Sequence, residues 1–161
     1  MASKHLRIYL NDHLAGSSAG VELAKRCLSN NQGTPLGEYL TRFLEEVRED
    51  RGTLLELMRR LQAPRNVGKV AGTWAAEKVG RLKLNGQLRG YSDLSRLLEL
   101  EGLCLGVEGK LSGWRSLQKV LPDPASQGID LENLVVRATR QREELEVHRL
   151  EAATRALRSR P

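Results

Sequence analysis

The stretch TPLGEYLTRFLEEVREDRGTLLELMRRLQAP, residues 34–64, is the strongest helical signal in the chain. Thr34 followed by Pro35 is typical of a helix start, because a threonine hydroxyl caps the first turn and proline is well tolerated at the first helical position. Apolar residues then recur at spacings of three and four, as on one face of a helix. Because Pro64 cannot continue a helix, we predict that the helix covers residues 35–62.

The same spacing predicts three further long helices, over residues 4–29, 93–120 and 130–158. Asp130 is the expected N-cap of the last one. Residues 63–92 separate the second and third long helices, and a structureless loop of that length would be unusual in a compact domain. We therefore expect this crossover to contain a short helix and to run the length of the bundle.

Composition places the chain among helical proteins that have a single domain. Its 161 residues are enough for one hydrophobic core, and aromatic residues make up only 4%, which disfavours a β-sandwich. We predict one all-α domain over residues 1–161. No stretch approaches the length of an apolar membrane span, and the first residues lack the apolar run of a secretory signal. These features lead us to expect a cytoplasmic protein that does not contact a membrane.

Two features of the apolar faces concern packing. Residues 15–20, in the middle of the first predicted helix, are all small, and we expect them to let a neighbouring helix backbone approach closely. Cys27 and Cys104 lie in leucine-rich helical segments without a metal-binding spacing. We expect both to be buried free thiols.

Two long helices, a long crossover and two more long helices resemble the ferritin-like four-helix-bundle superfamily. The resemblance covers nearly the whole chain and depends on helix pattern and connection length. It implies an up-down-down-up order of helices, in which the crossover spans the bundle between the second and third helices.

In metal-binding members of that superfamily, two helices each supply a Glu and the other two each supply Glu-x-x-His. The resemblance places four glutamates at these positions: Glu22, Glu49, Glu108 and Glu144. Gly52 and Val147 stand where the two histidines would be. We therefore expect neither a metal nor another cofactor. The alternative is a metal-dependent oxidoreductase or a metal-storage protein whose rearranged site uses these glutamates together with His148.

Asp50 is the one acidic residue on the apolar face of the second predicted helix. A carboxylate buried there without a partner would be costly, so we expect a basic or hydrogen-bonding partner from another helix. His13 and His148 occupy comparable positions on their helices, while Arg51 and Arg115 are further candidates. We interpret His13, Asp50 and His148 as a buried polar seam that fixes helix register.

The sequence contains no pattern typical of a nucleophilic enzyme or a phosphate-binding loop. We therefore expect a non-enzymatic binding or scaffold protein, with a protein partner or a second copy on one helix face. Residues 62–96 carry seven basic and two acidic side chains, which leaves nucleic-acid binding as another alternative. Because aromatic residues for base stacking are few, we expect nucleic acid to bind weakly at most.

Overall fold

The computed structural model describes residues 2–66, 90–121 and 128–158. These residues form four long helices: α1 (Lys4–Asn30), α2 (Pro35–Arg60), α3 (Asp93–Val120) and α4 (Leu131–Leu157). No strand occurs in the part of the chain that is described. The prediction of four long helices in an all-α protein is therefore confirmed, with bounds within two residues of those expected. The short helix predicted in the crossover falls mainly on residues 67–89, which lie outside the described residues.

Each helix begins at a side-chain cap, which explains why the starts could be predicted. The Thr34 hydroxyl accepts from the backbone N–H of Gly37 at 3.1 Å, and Pro35 is the first residue of α2. Asp130 Oδ1 accepts from the N–H of Asn133 at 2.9 Å. These contacts satisfy N–H groups that have no partner within the helix, so the expected caps at Thr34 and Asp130 are confirmed.

Helix α1 packs against α2 and α3, whereas α4 packs mainly against α3 and touches α2 along a narrow contact. The core consists of two apolar clusters, one around Leu57 and Trp114 and the other around Leu40 and Leu100. Of the buried polar side chains, Asp50 and Gln141 lie between the two clusters along their helices. None of the described helices has the length and apolar character that crossing a membrane would require.

The expectation of a close helix approach at the small residues of α1 is wrong at Gly16 and Gly20. A Cβ atom built on either glycine would meet no atom of a neighbouring helix within 4 Å. The glycine that does meet a neighbouring backbone is Gly37, whose Cβ would collide with the carbonyl oxygen of Asn31. The tight contact therefore lies at the α1–α2 turn, and the middle of α1 faces open space.

Candidate functional site

A cleft of about 520 Å³ lies between α1, α2 and α3. Its walls are mostly apolar, with Phe43 and Val47 from α2 and Val107 from α3 among the lining residues. The lining residues of α3 extend from Leu103 to Leu117, which corresponds to about 21 Å of helix. The volume is within the range of about 300–1,000 Å³ that is common for small-molecule sites, and the shape is elongated.

Glycines of α1 and α3 produce this cleft. Gly16 and Gly20 line it from α1, and Gly106 and Gly109 line it from α3. A Cβ at any of these four positions would have nothing within 4 Å. Gly106 and Gly109 are exposed and Gly16 and Gly20 are half-buried, so the four glycines border a cleft that opens to solvent.

Asp50 forms the polar part of the cleft wall together with Lys110. Asp50 is 2% exposed, and its Oδ2 lies 2.5 Å from Lys110 Nζ. Arg137 of α4 lies 3.1 Å from Oδ1 of the same carboxylate, and Lys110 also donates to Gln141 Oε1. Burial lowers the pKa of Lys110, an effect that Asp50 opposes. The Asp50 carboxylate is therefore held by cations from two other helices.

Sequence reasoning identified Asp50 but not its partners. His13 and His148 were expected beside it, yet neither contacts Asp50. His148 packs against the Tyr39 ring at a centroid distance of 4.6 Å, while His13 packs against Tyr9 at 4.4 Å. The seam of His13, Asp50 and His148 is thus not one cluster. Burial lowers the pKa of His13.

Arg51 and Trp114, which both line the cleft, have unused hydrogen-bond donors. The Trp114 indole nitrogen has no acceptor within reach, but it is buried and has almost no surface accessible from the cleft. Arg51 Nε–H donates to Ser18 Oγ at 3.2 Å, and no carboxylate in the described part of the chain lies within ion-pair distance of its guanidinium. The half-buried Arg51 is therefore the one of the two that a molecule in the cleft can reach.

The glutamates of the rearranged metal site do not converge. Each one is paired with a basic residue on the bundle exterior: Glu22 with Lys25, Glu49 with Arg137, Glu108 with Arg142 and Glu144 with Arg140. The described residues contain no group of three or more His, Cys, Asp or Glu side chains that could hold a metal ion. His148 lies 4.0 Å from Glu151 and contacts none of these four glutamates. The residues of the alternative metal site are therefore not brought together.

A second polar network joins α1 to α3 at the end of the bundle where α3 begins. Glu99 is fully buried, with Arg26 Nε 2.6 Å from its Oε1 in an ion pair that lacks hydrogen-bond alignment. The Tyr91 hydroxyl donates to Glu99 Oε2 at 2.9 Å and accepts from Asn31 Nδ2 at 2.9 Å. Sequence reasoning missed this network, although Glu99 stands four residues before the buried Leu103, a spacing that places both on one helix face.

Both cysteines are free thiols, as expected. Cys27 is buried beside the Glu99 network and Cys104 is half-buried. Burial and the nearby Glu99 raise the pKa of Cys27 to about 12. A buried thiol with a raised pKa is a poor nucleophile, so Cys27 contributes packing rather than reactivity.

No protein-family model, curated protein or solved structure matches this chain.

Proposed function

We propose that this protein is a non-enzymatic helical bundle that binds a small, mostly apolar molecule in the cleft between α1, α2 and α3. The observation that carries the proposal is the open, mostly apolar cleft beside Gly16, Gly20, Gly106 and Gly109. A bound molecule would remove apolar surface of the cleft from water and make dispersion contacts that no side chain of the described residues makes.

The charged groups at the cleft favour binding over catalysis. Asp50 accepts from Lys110 and Arg137, so its carboxylate is already engaged by two cations. Lys110 is in turn held by Asp50 and Gln141. A general acid or base must exchange a proton with the substrate, whereas Asp50 and Lys110 already form a hydrogen bond with each other.

The ferritin-like arrangement is part of the same proposal. The N–H of Ala2 donates to the carbonyl of Leu61 at 3.1 Å, so α2 ends beside the start of α1, which supports an antiparallel pair. Arg96 near the start of α3 donates to Asn31 at the end of α1. A connection from α2 to α3 would then span the length of α1, as an up-down-down-up order requires.

The proposal can be tested with Nile red, an uncharged dye whose fluorescence rises in apolar surroundings. Gly109→Leu places a side chain in the cleft, and Gly52→Leu places the same side chain on an exposed helical glycine outside it. We expect wild type and Gly52→Leu to bind the dye alike, and Gly109→Leu to bind it at least about tenfold more weakly, equivalent to about 1.4 kcal/mol.

Both leucine variants should stay folded, because leucine has a higher helix propensity than glycine. Thermal melts would check this for each variant. Equal dye binding by Gly109→Leu and Gly52→Leu, or no binding by the wild type, would contradict the proposal. The expectation that nucleic acid binds weakly at most stays a prediction, because most of the basic segment lies on residues 67–89, outside the described residues.

A further inference from the structure

Arg51 leaves hydrogen-bond donors unused at the cleft wall. Asp50 is the buried acceptor there, and Lys110 and Arg137 already donate to it. Arg51 uses one of its five N–H groups on Ser18. A molecule that enters this cleft therefore meets the remaining Arg51 donors, and acceptor oxygens on the molecule would pair with them.

The charges of the lining residues indicate the sign of the charge that a ligand should carry. Among the cleft-lining residues, Arg51 and Lys110 are basic and Asp12 and Asp50 are acidic. The Asp50 charge is compensated by Lys110, and Asp12 is exposed to water at the rim. Arg51 is half-buried, with a guanidinium that no carboxylate of the described residues neutralises. An anionic group would supply the missing counter-charge.

The shape of the cleft indicates the shape of the apolar part of the ligand. Between Leu103 and Leu117 the α3 wall extends about 21 Å, while the opposite α1 wall from Tyr9 to Val21 extends about 18 Å. The glycines along both walls leave room for a narrow chain without branches. The lining therefore favours an elongated apolar body with one polar end.

Building on the proposed function, we propose that the ligand is a linear amphiphile with a carboxylate head. Its apolar chain lies along the glycines of α1 and α3, and the carboxylate oxygens accept hydrogen bonds from Arg51. Arg51 supplies the charge, because a guanidinium pairs with a carboxylate through two parallel N–H groups.

Three probes with the same tail test the head group: dodecanoate, dodecanol and dodecyltrimethylammonium, each below the concentration at which it forms micelles. Their ability to displace Nile red from the wild-type protein is measured at neutral pH. Because charge-assisted hydrogen bonds are worth about 1.5–3 kcal/mol, we expect dodecanoate to bind at least about tenfold more tightly than dodecanol. The ammonium compound should bind most weakly.

Variants of Arg51 test the role of its guanidinium. Arg51→Gln should remove the preference for dodecanoate over dodecanol, and Arg51→Lys should restore part of it, since lysine keeps the charge but not the two-pronged geometry. Arg48→Gln is the matched control, because Arg48 is exposed on the same helix and does not line the cleft.

The outcomes separate this inference from the proposed function. If Nile red binds and Gly109→Leu blocks it, but dodecanol equals or exceeds dodecanoate, then the cleft binds apolar molecules and the carboxylate assignment is wrong. An equal loss of dodecanoate affinity in Arg48→Gln and Arg51→Gln would likewise overturn it, because diffuse charge would then explain the preference. If neither Nile red nor any of the three probes binds, both proposals fail.

Discussion

Helices α1 and α3 are in close contact at two levels and are separated by the cleft between them. Glycines of α3 lie both at the close contacts and at the cleft. A Cβ on Gly102 would come within 2.8 Å of the Leu23 side chain, and one on Gly113 within 2.8 Å of the His13 ring. Gly106 and Gly109, between them, have nothing within 4 Å. One residue type therefore serves close packing at two positions and an open cleft at two others.

The residue across the interface explains this difference. The pairs Leu23–Gly102 and His13–Gly113 set an antiparallel register, which brings Gly20 and Gly16 near the levels of Gly106 and Gly109. Where a glycine faces a large side chain, that side chain fills the space beside the glycine. A glycine that faces another glycine leaves a gap, because neither residue has atoms to fill it. Whether a glycine of one helix leaves a gap therefore depends on the register of the neighbouring helix.

The largest expected effect is at the closed end near the start of α3. Arg26→Ala would leave the fully buried Glu99 without its cation, and we expect the free energy of unfolding to fall by about 3 kcal/mol. Adding Glu99→Gln should recover part of that loss, because the amide carries no charge and can still accept from Tyr91. Urea denaturation measures both variants. A loss below about 1 kcal/mol for Arg26→Ala would show that the ion pair does not hold this end closed.

The polar wall behind the open middle should be less sensitive. Lys110→Met removes one of two cations from Asp50 while Arg137 remains, so we expect a loss of about 2 kcal/mol in the free energy of unfolding. The double variant Asp50→Leu/Lys110→Met should lose less than Lys110→Met alone, since no buried charge is then left short of a partner. The same urea experiment decides this. Unchanged stability of Lys110→Met would mean that Arg137 alone satisfies Asp50.

A single methyl group tests the closed end formed by His13. Gly113→Ala overpacks the site against the imidazole, and we expect a loss of about 1 kcal/mol. In a His13→Ala background the same substitution should cost nothing, because the colliding ring is gone. A double-mutant cycle from thermal or urea melts gives the coupling. Equal costs in both backgrounds would mean that the methyl group meets something other than His13.

The smallest effect is expected in the open middle, with the opposite sign. Gly109→Ala adds a methyl group to open space and improves helix propensity, so we expect a gain of about 0.5–1 kcal/mol in the free energy of unfolding. Gly52→Ala, on an exposed face of α2, should give a similar gain and serves as the control. A loss of stability at Gly109 alone, seen in urea melts, would show that the two walls approach more closely in solution.

Much of the helical architecture could be predicted from the sequence because its determinants are local. Thr34 and Asp130 satisfy backbone donors of their own helices, and the apolar spacing depends on one helix at a time. The cleft depends on which residue stands opposite each glycine. That information lies in the helix register, so the small segment of α1 was consistent both with close approach and with open space.

The partners of Asp50 left a signal that the sequence reasoning did not use. Lys110 stands three residues after Val107 and four before Trp114, and both of these are buried. Gln141 is likewise three residues after Ala138 and four before Leu145. A polar residue at core spacing on a neighbouring helix is a candidate partner for a buried carboxylate. The distant pairing itself could not be obtained from spacing, because it depends on how the helices align.

For the proposed linear ligand, the glycines of the cleft affect the chain length that fits. Gly20 and Gly16 lie about one helical turn apart along the same wall, so a side chain introduced at one would shorten the cleft at a different depth from a side chain at the other. The affinities of such variants for alkyl chains of increasing length would show which chain length each variant accepts. Evolution or design could then reset the accepted chain length by single substitutions, without altering the polar residues that hold the bundle together.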